Sequence, residues 1–219
     1  MSYMNDNSYI QTLYEYATDH GLPKECLFSK ETQDNYINTS IDAYRDYALF
    51  QYLFKRKYDE DIFSRLMTVD FRSRKGIMAG LSTSDNYESV MLLEPPNSKS
   101  TGMIDYVKVA RLKDYGLLLC PVMYRMEVFE KYSLGKRKEF LDDNTWYMYV
   151  FATKEQYKGQ GYGRKLIDVF LSYINENGYR ICLETNDKDN VSMYEHFGFE
   201  TVATYSYQGA LDHFIMMYK

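Results

Sequence analysis

The chain has 219 residues, 45% hydrophobic and 26% charged, which suits one domain, or one with a sizeable extension, around a real core. A net charge of −5 with no extended basic block disfavours binding to nucleic acid through a broad basic face. Cys26, Cys120 and Cys182 are scattered without metal-ligand spacing, residues 1–7 lack the regions of a secretory leader, and the apolar run 117–123 is short and contains Pro121, so a soluble cytoplasmic protein with reduced thiols, no metal and no membrane partner is expected.

Ile10, Leu13, Tyr14 and Ala17 share one helical face over residues 8–20, and Gly21 stops that helix. Residues 40–57 repeat the pattern through Ile41, Tyr44, Ala48 and Phe54, with Ser40 as the cap. Ile62, Leu66 and Val69 predict a third helix over 59–71, giving a helical N-terminal portion over 1–73. Strand signals at 76–81 and 89–93 flank a polar turn, and Pro95 and Pro96 end that hairpin because proline cannot donate to a ladder. From 102 to 140 the pattern is mixed with helix favoured, and Lys136-Arg137-Lys138-Glu139 reads as a solvated helix face. Residues 146–153 read as a buried strand. The stretch 163–177 reads as an amphipathic helix through Leu166, Ile167, Phe170, Tyr173 and Ile174, ended by Gly178. A strand at 179–185, a short helix capped by Asn190 and stopped by Gly198, and a hairpin of 202–207 with 213–218 complete the chain. The 24 tyrosines are scattered and read as packing residues. The order strand, glycine turn, helix, strand, helix, hairpin predicts a mixed α/β layer with a parallel strand pair at its centre, within a sheet core over 76–219.

At the junction of the clearest strand and the clearest helix stands Lys158-Gly159-Gln160-Gly161-Tyr162-Gly163-Arg164. Glycines there let backbone N–H groups close on a ligand, and the first helical turn adds unpaired donors and partial positive charge, so the natural guest is a phosphate or pyrophosphate. A P-loop would need Gly-Lys-Ser/Thr, whereas Gly163 is followed by Arg164, Lys165 and Leu166. The dinucleotide fingerprint needs a third glycine where Arg164 stands, and kinase elements are missing. A tight turn that merely packs helix on sheet is the blander alternative.

The stretch 146–153, Trp-Tyr-Met-Tyr-Val-Phe-Ala-Thr, followed by Lys158-Gly159-Gln160-Gly161-Tyr162-Gly163-Arg164-Lys165-Leu166-Ile167, resembles the central motif of the GNAT superfamily of N-acetyltransferases. Leu183-Glu184-Thr185 and then Asn190 to Phe199 resemble its second signature, so the likeness is tight over 146–199. Lys158 departs from the usual Arg or Gln at the motif's head, although Gln156-x-x-Gly159-x-Gly161 offers a shifted match, and 102–140 does not resemble the family's third strand. The resemblance implies a single GNAT domain over 1–219: a mixed, mostly antiparallel sheet with a splayed parallel pair, flanking helices, and a helical N-terminal extension that helps form the acceptor pocket.

It further implies that acetyl-CoA donates an acetyl group to a primary amine of a small molecule or peptide, by direct attack on the thioester, in a monomer or homodimer. The backbones of Phe151 and Thr153 would pair with the pantetheine arm like an added strand. The N–H groups from Gly159 to Arg164 would hold the pyrophosphate and Asn190 would touch the cofactor near the splay, while Lys154, Lys158, Arg164 and Lys165 crowd around the loop, either as solvated charges or against the CoA phosphates. By the same resemblance the Phe151 N–H faces the oxyanion and Tyr194 stands beside the sulfur. A phenol near 10 is a weaker acid than a thiol near 8.5 by roughly 2 kcal/mol, so Tyr194 suits a hydrogen bond to the nascent thiolate. Where some relatives carry a glutamate base this chain has Tyr147. Glu184 on the next strand is then the candidate base, acting through water, or else a structural carboxylate. His196 and His213 read as surface or packing residues. A non-catalytic CoA-binding sensor or scaffold of the same fold is the alternative.

Overall fold

The computed structural model describes residues 6–55, 58–74, 76–99, 101–111, 114–118 and 120–219. Residues 1–5 of the polar start, residues 56–57 at the end of the second predicted helix, residues 112–113 of the mixed stretch, and residue 119 of the apolar run lie outside the described residues. The chain opens with helices α1 (Asp6–Asp19), α2 (Gln33–Tyr44), α3 (Ala48–Phe54) and α4 (Glu60–Ser73), then a hairpin of β1 (Ala79–Ser82) and β2 (Ser89–Glu94). Helices α5 (Met103–Val109), α6 (Tyr115–Leu118) and α7 (Pro121–Arg137) lead into β3 (Thr145–Thr153), α8 (Tyr162–Asn177), β4 (Arg180–Thr185) and α9 (Lys188–His196). Strands β5 (Glu200–Tyr207) and β6 (Leu211–Tyr218) close it.

The strands form one mixed sheet in the order β1-β2-β3-β4-β6-β5, in which β3 and β4 run parallel and every other neighbouring pair is antiparallel. One face packs on α1, α8 and α9: Leu13, Leu166, Phe170 and Ile174 meet Trp146, Met148, Ile181 and Leu183. Each large apolar side chain fully buried in this way contributes about 1.5–3 kcal/mol. The opposite face carries α2 to α7, with Tyr36, Leu53, Phe63 and Phe129 over Val90, Leu92 and Val150. Among the described residues no helix is long and apolar enough to cross a membrane.

Four local expectations are corrected. The predicted helix 40–57 is two helices, α2 and α3, with a break at 45–47, and Ser40 lies buried inside α2 rather than capping it. Asn190 lies within α9, whose cap is Asp187, its side chain accepting from the Asp189 N–H. In the charge run, Arg137 is not on a solvated face but 2% exposed, because its guanidinium is drawn to carboxylates under the sheet. Among the described residues of the mixed stretch 102–140 helix prevails, as the sequence favoured, and the longest of its helices, α7, buries Ser133 and Arg137 together with Val122, Met123 and Phe129.

Strands β3 and β4 pair only from Thr145↔Arg180 to Met148↔Leu183. Beyond that point β4 stays with β6, through Glu184↔Ile215 and Thr185↔Phe214, while β3 stays with β2. A register shift between Leu92 and Leu93 leaves Tyr149 without a partner on β2, and the extra residue bends β3 away. The two central strands therefore part into a V at Tyr149.

Candidate active site

Two cavities meet at that V. A cleft of about 600 Å³ runs along the glycine turn and is lined by Thr153, Gly159, Gly161, Gly163, Arg164 and Phe197, among others. A smaller cavity of about 130 Å³ lies under the other sheet face, with Phe50, Phe129, Glu130, Tyr147, Glu184 and His213 in its walls. Tyr44, Tyr47, Phe151, Asn190 and Tyr194 line both.

The glycine turn is shaped for donors. Gly159 and Gly161 take φ of +72° and +85°, the left-handed region that glycine enters without a Cβ penalty. A Cβ on Gly163 would sit 3.2 Å from Thr153 Oγ1 and 3.3 Å from Phe151 Cζ, so a bare backbone lets the first turn of α8 lie against β3. The Gln160 N–H is bound to the Tyr157 carbonyl and Lys165 N–H to the Gly161 carbonyl. The N–H groups of Gly159, Gly161, Tyr162, Gly163 and Arg164 have no acceptor among the described residues. Five free donors at a helix N-terminus, on the wall of an open cleft, form an anion cradle. Lys158 and Arg164 stand at the rim, held by Glu155 at 2.5 Å and Asp168 at 3.0 Å, and Tyr162 packs edge-on against Tyr157.

Phe151 turns its backbone N–H and C=O into the V, since Ala152 and Lys154 are engaged with β2 and alternation puts Phe151 and Thr153 on the other edge. The Tyr44 hydroxyl occupies both Phe151 groups, accepting from its N–H at 3.3 Å and donating to its carbonyl at 3.2 Å. Tyr47 does the same for β4: its hydroxyl accepts from the Asn186 N–H at 2.7 Å and lies 3.1 Å from Thr185 Oγ1. Both tyrosines come from the α2–α3 break, so the helical N-terminal portion bridges the parted strands. Sequence reasoning missed both; the break between their helices had no signal in the apolar pattern.

Tyr194, on α9, is 7% exposed and packs on Phe151 and Phe199. Its hydroxyl has no hydrogen-bond partner among the described residues, and burial, with Tyr44 and Tyr47 nearby, raises its pKa well above the ordinary phenol. The group is a donor and not a source of protons. Asn190 reaches Thr185 Oγ1 at 3.4 Å, on the wall between the two cavities.

Under the small cavity runs a buried charge network that the sequence did not disclose. Arg74 contacts Asp70 at 3.0 Å, Glu94 at 2.5 Å and Glu130 at 3.8 Å. Arg137 contacts Glu130 at 2.8 Å and Glu184 at 3.1 Å. Oε2 of Glu184 also accepts from Ser133 at 2.5 Å and from the Tyr147 hydroxyl at 2.9 Å. Strand alternation sets Glu184 opposite Ile181 and Leu183, facing these partners. Burial by itself would raise the Glu184 carboxyl, but His213, Arg137 and Ser133 favour the anion and hold it down at about 2. His213 is fully buried as expected of a packing residue, edge-on to Phe129, with Nε2 3.4 Å from Glu184 Oε1. His196 is exposed, near Arg164. Among the described residues no group of three or more His, Cys, Asp or Glu is placed to hold a metal.

Comparison with known proteins bears on the same region. Residues 132–201 match the family model of the acetyltransferase (GNAT) domain. An uncharacterized N-acetyltransferase of Schizosaccharomyces pombe is 38% identical over 58 residues, 26% of this chain and 24% of that protein, so the match spans about a quarter of the curated relative. The C-terminal condensation domain of Ebony, solved with beta-alanyl-dopamine, superposes with a TM-score of 0.59 at 8% identity, over 88% of this chain and 96% of that one. Arylalkylamine N-acetyltransferase 2 of Aedes aegypti gives 0.55 at 11% identity, over 87% and 95%. Likeness at these identities is one of fold.

Proposed function

We propose, from the match of residues 132–201 to the family model of the acetyltransferase (GNAT) domain and from the geometry of the site, an acetyl-CoA-dependent N-acetyltransferase that acts on a primary amine. The carrying observation is the set of five unengaged N–H groups at the α8 N-terminus, opening on a cleft that ends at the V beside a second cavity. Acetyl-CoA would supply a thioester carbonyl to which a neutral amine adds, the C–N bond forming as the C–S bond breaks, with the proton that the nitrogen then sheds passing to the departing thiolate.

The cradle of Gly159, Gly161, Tyr162, Gly163 and Arg164 binds the pyrophosphate, and Lys158 and Arg164 can swing from Glu155 and Asp168 to the phosphates. The backbone groups of Phe151 and Thr153 bind the pantetheine arm, which requires the Tyr44 hydroxyl to give way. With Tyr44 displaced, the Phe151 N–H is an oxyanion donor fixed by β3 before the reaction begins. The Tyr194 hydroxyl, protonated and without a protein partner, donates to the sulfur as its charge develops. Asn190 orients the arm where the cavities meet. Glu184, ionised down to about 2, is too weak a base to draw a proton from an ammonium group; it acts on the acceptor by charge, and the ammonium proton leaves through water.

Melting the full chain with and without acetyl-CoA, followed by an amine panel scored for CoA release, tests the reading. Ligand at 100 times Kd adds about 2.7 kcal/mol, or a rise of roughly 5–10 °C for a chain of this size. No rise removes the premise. A rise with no CoA release from any amine leaves the non-catalytic CoA-binding module instead.

A further inference from the structure

The small cavity has two unlike ends. Tyr44, Tyr47, Phe50, Met67 and Phe129 give it an apolar, largely aromatic body, and Glu130, Ser133, Glu184 and His213 form its polar end. Glu184 Oε1 and His213 Nε2 lie 3.4 Å apart, too poorly aligned for a hydrogen bond, and neither has another partner among the described residues; the Glu184 side chain is 9% exposed and His213 is 0% exposed. The other Glu184 oxygen already takes three donors, from Ser133, Arg137 and Tyr147. Beyond the poorly aligned His213 ring 3.4 Å away, Oε1 has no donor among the described residues, and a better-placed one would satisfy it.

The surrounding charge points to the sign of that donor. Among the described residues the network holds four carboxylates, Asp70, Glu94, Glu130 and Glu184, against two guanidiniums, Arg74 and Arg137. Even a charged His213 would leave four carboxylates to three cations. Its Nδ1 lies 3.4 Å from Asn186 Nδ2, which is fixed on the Asp212 carbonyl at 2.6 Å. One more cation completes the network.

We propose that this cavity is the acceptor site of the transferase described above, and that it takes a primary monoammonium group on a compact apolar body about the size of benzene, held by Glu184 Oε1. The size follows from the volume: about 130 Å³, against the roughly 150 Å³ of an engineered apolar cavity that binds benzene. The aromatic walls favour a cation at their ring faces as well as an apolar body. An α-carboxylate on the acceptor would be buried beside Glu130 and Glu184, and a second ammonium would be buried among apolar walls, so amino acids and polyamines are excluded. The same cavity touches Phe151 and Tyr194, so an acceptor in it lies against the groups assigned to the thioester.

Calorimetric titration of benzylamine into the full chain, with and without CoA, tests this apart from turnover. Saturable binding is expected, with benzyl alcohol, phenylalanine and spermidine each weaker by about tenfold or more. Glu184→Gln is expected to weaken benzylamine about tenfold or more without altering the melting shift from CoA. Met126→Phe, which narrows the cavity and keeps every carboxylate, is expected to do the same. The proposal is overturned if benzylamine fails to saturate by about 10 mM, if phenylalanine or spermidine binds as well, or if both variants bind benzylamine like the parent chain. Failure of the transferase reading looks different: benzylamine binds, but acetyl-CoA produces no melting shift or no CoA is released.

Discussion

Tyr44→Phe removes one oxygen from the point where cofactor and protein compete. In the free chain that hydroxyl makes two bonds to Phe151, at 3.3 and 3.2 Å, and its ring stays packed against Tyr47 and Phe50 at centroid distances of 5.5 and 6.0 Å. Neutral bonds of this length are each worth about 0.5–1 kcal/mol net, so the free variant loses about 1–2 kcal/mol and melts roughly 3–6 °C lower. The parent must break both bonds to seat the pantetheine arm, and the variant has none to break. Acetyl-CoA should therefore bind the variant more tightly by the same 1–2 kcal/mol, about 5- to 30-fold in Kd. Calorimetry gives Kd and melting curves give the stability change. Tyr47→Phe is the control: its hydroxyl serves Asn186 and Thr185 on the β4 side, so it should lower the melting temperature without tightening the cofactor. A Tyr44→Phe chain that melts lower yet binds acetyl-CoA no more tightly would refute the idea that the arm takes Phe151's backbone groups.

Tyr194→Phe is expected to lower kcat by about 10- to 100-fold with the acetyl-CoA Kd changed less than about twofold, as single-turnover kinetics and calorimetry would show; unchanged turnover removes Tyr194 from the mechanism. Gly161→Ala forces a side chain to φ +85°; it should cost about 1–2 kcal/mol in chemical denaturation and loosen acetyl-CoA binding by about tenfold. Arg137→Leu strands Glu130 and Glu184 in the interior and should cost about 3–5 kcal/mol, whereas Lys138→Leu, one residue on and exposed, should change stability by less than about 0.5 kcal/mol. For pH, Glu184 has its folded value lowered from 4.5 to about 2. Its contribution is thus present above about 4.5 and lost as pH falls toward 2, on the order of 3 kcal/mol in all. Denaturation midpoints of the parent chain should fall more steeply across that window than those of Glu184→Gln; parallel curves would contradict the shift.

The sequence by itself determined what is local. From β3 through the glycine turn into α8, strand run, positive-φ glycines and helical stripe are neighbours in the chain, so composition and spacing placed them within a residue or two of where they stand. The parallel pair followed from the strand–helix–strand order, and the fold class with it. Tertiary structure decided the rest, because the remaining site is held by groups that local patterns hide. Helix α7 buries Ser133 and Arg137 on its inner face, which erases the apolar periodicity that would have shown it and makes a buried charge look like a solvated one. Tyr44 and Tyr47 look like two more packing tyrosines until the strands part 107 and 138 residues further along the chain and leave backbone groups that their hydroxyls satisfy. Glu184 was legible as a carboxylate facing away from Ile181 and Leu183. That it is an anion held through one oxygen by Ser133, Arg137 and Tyr147, with the His213 ring 3.4 Å from the other, is something only the folded chain brings about.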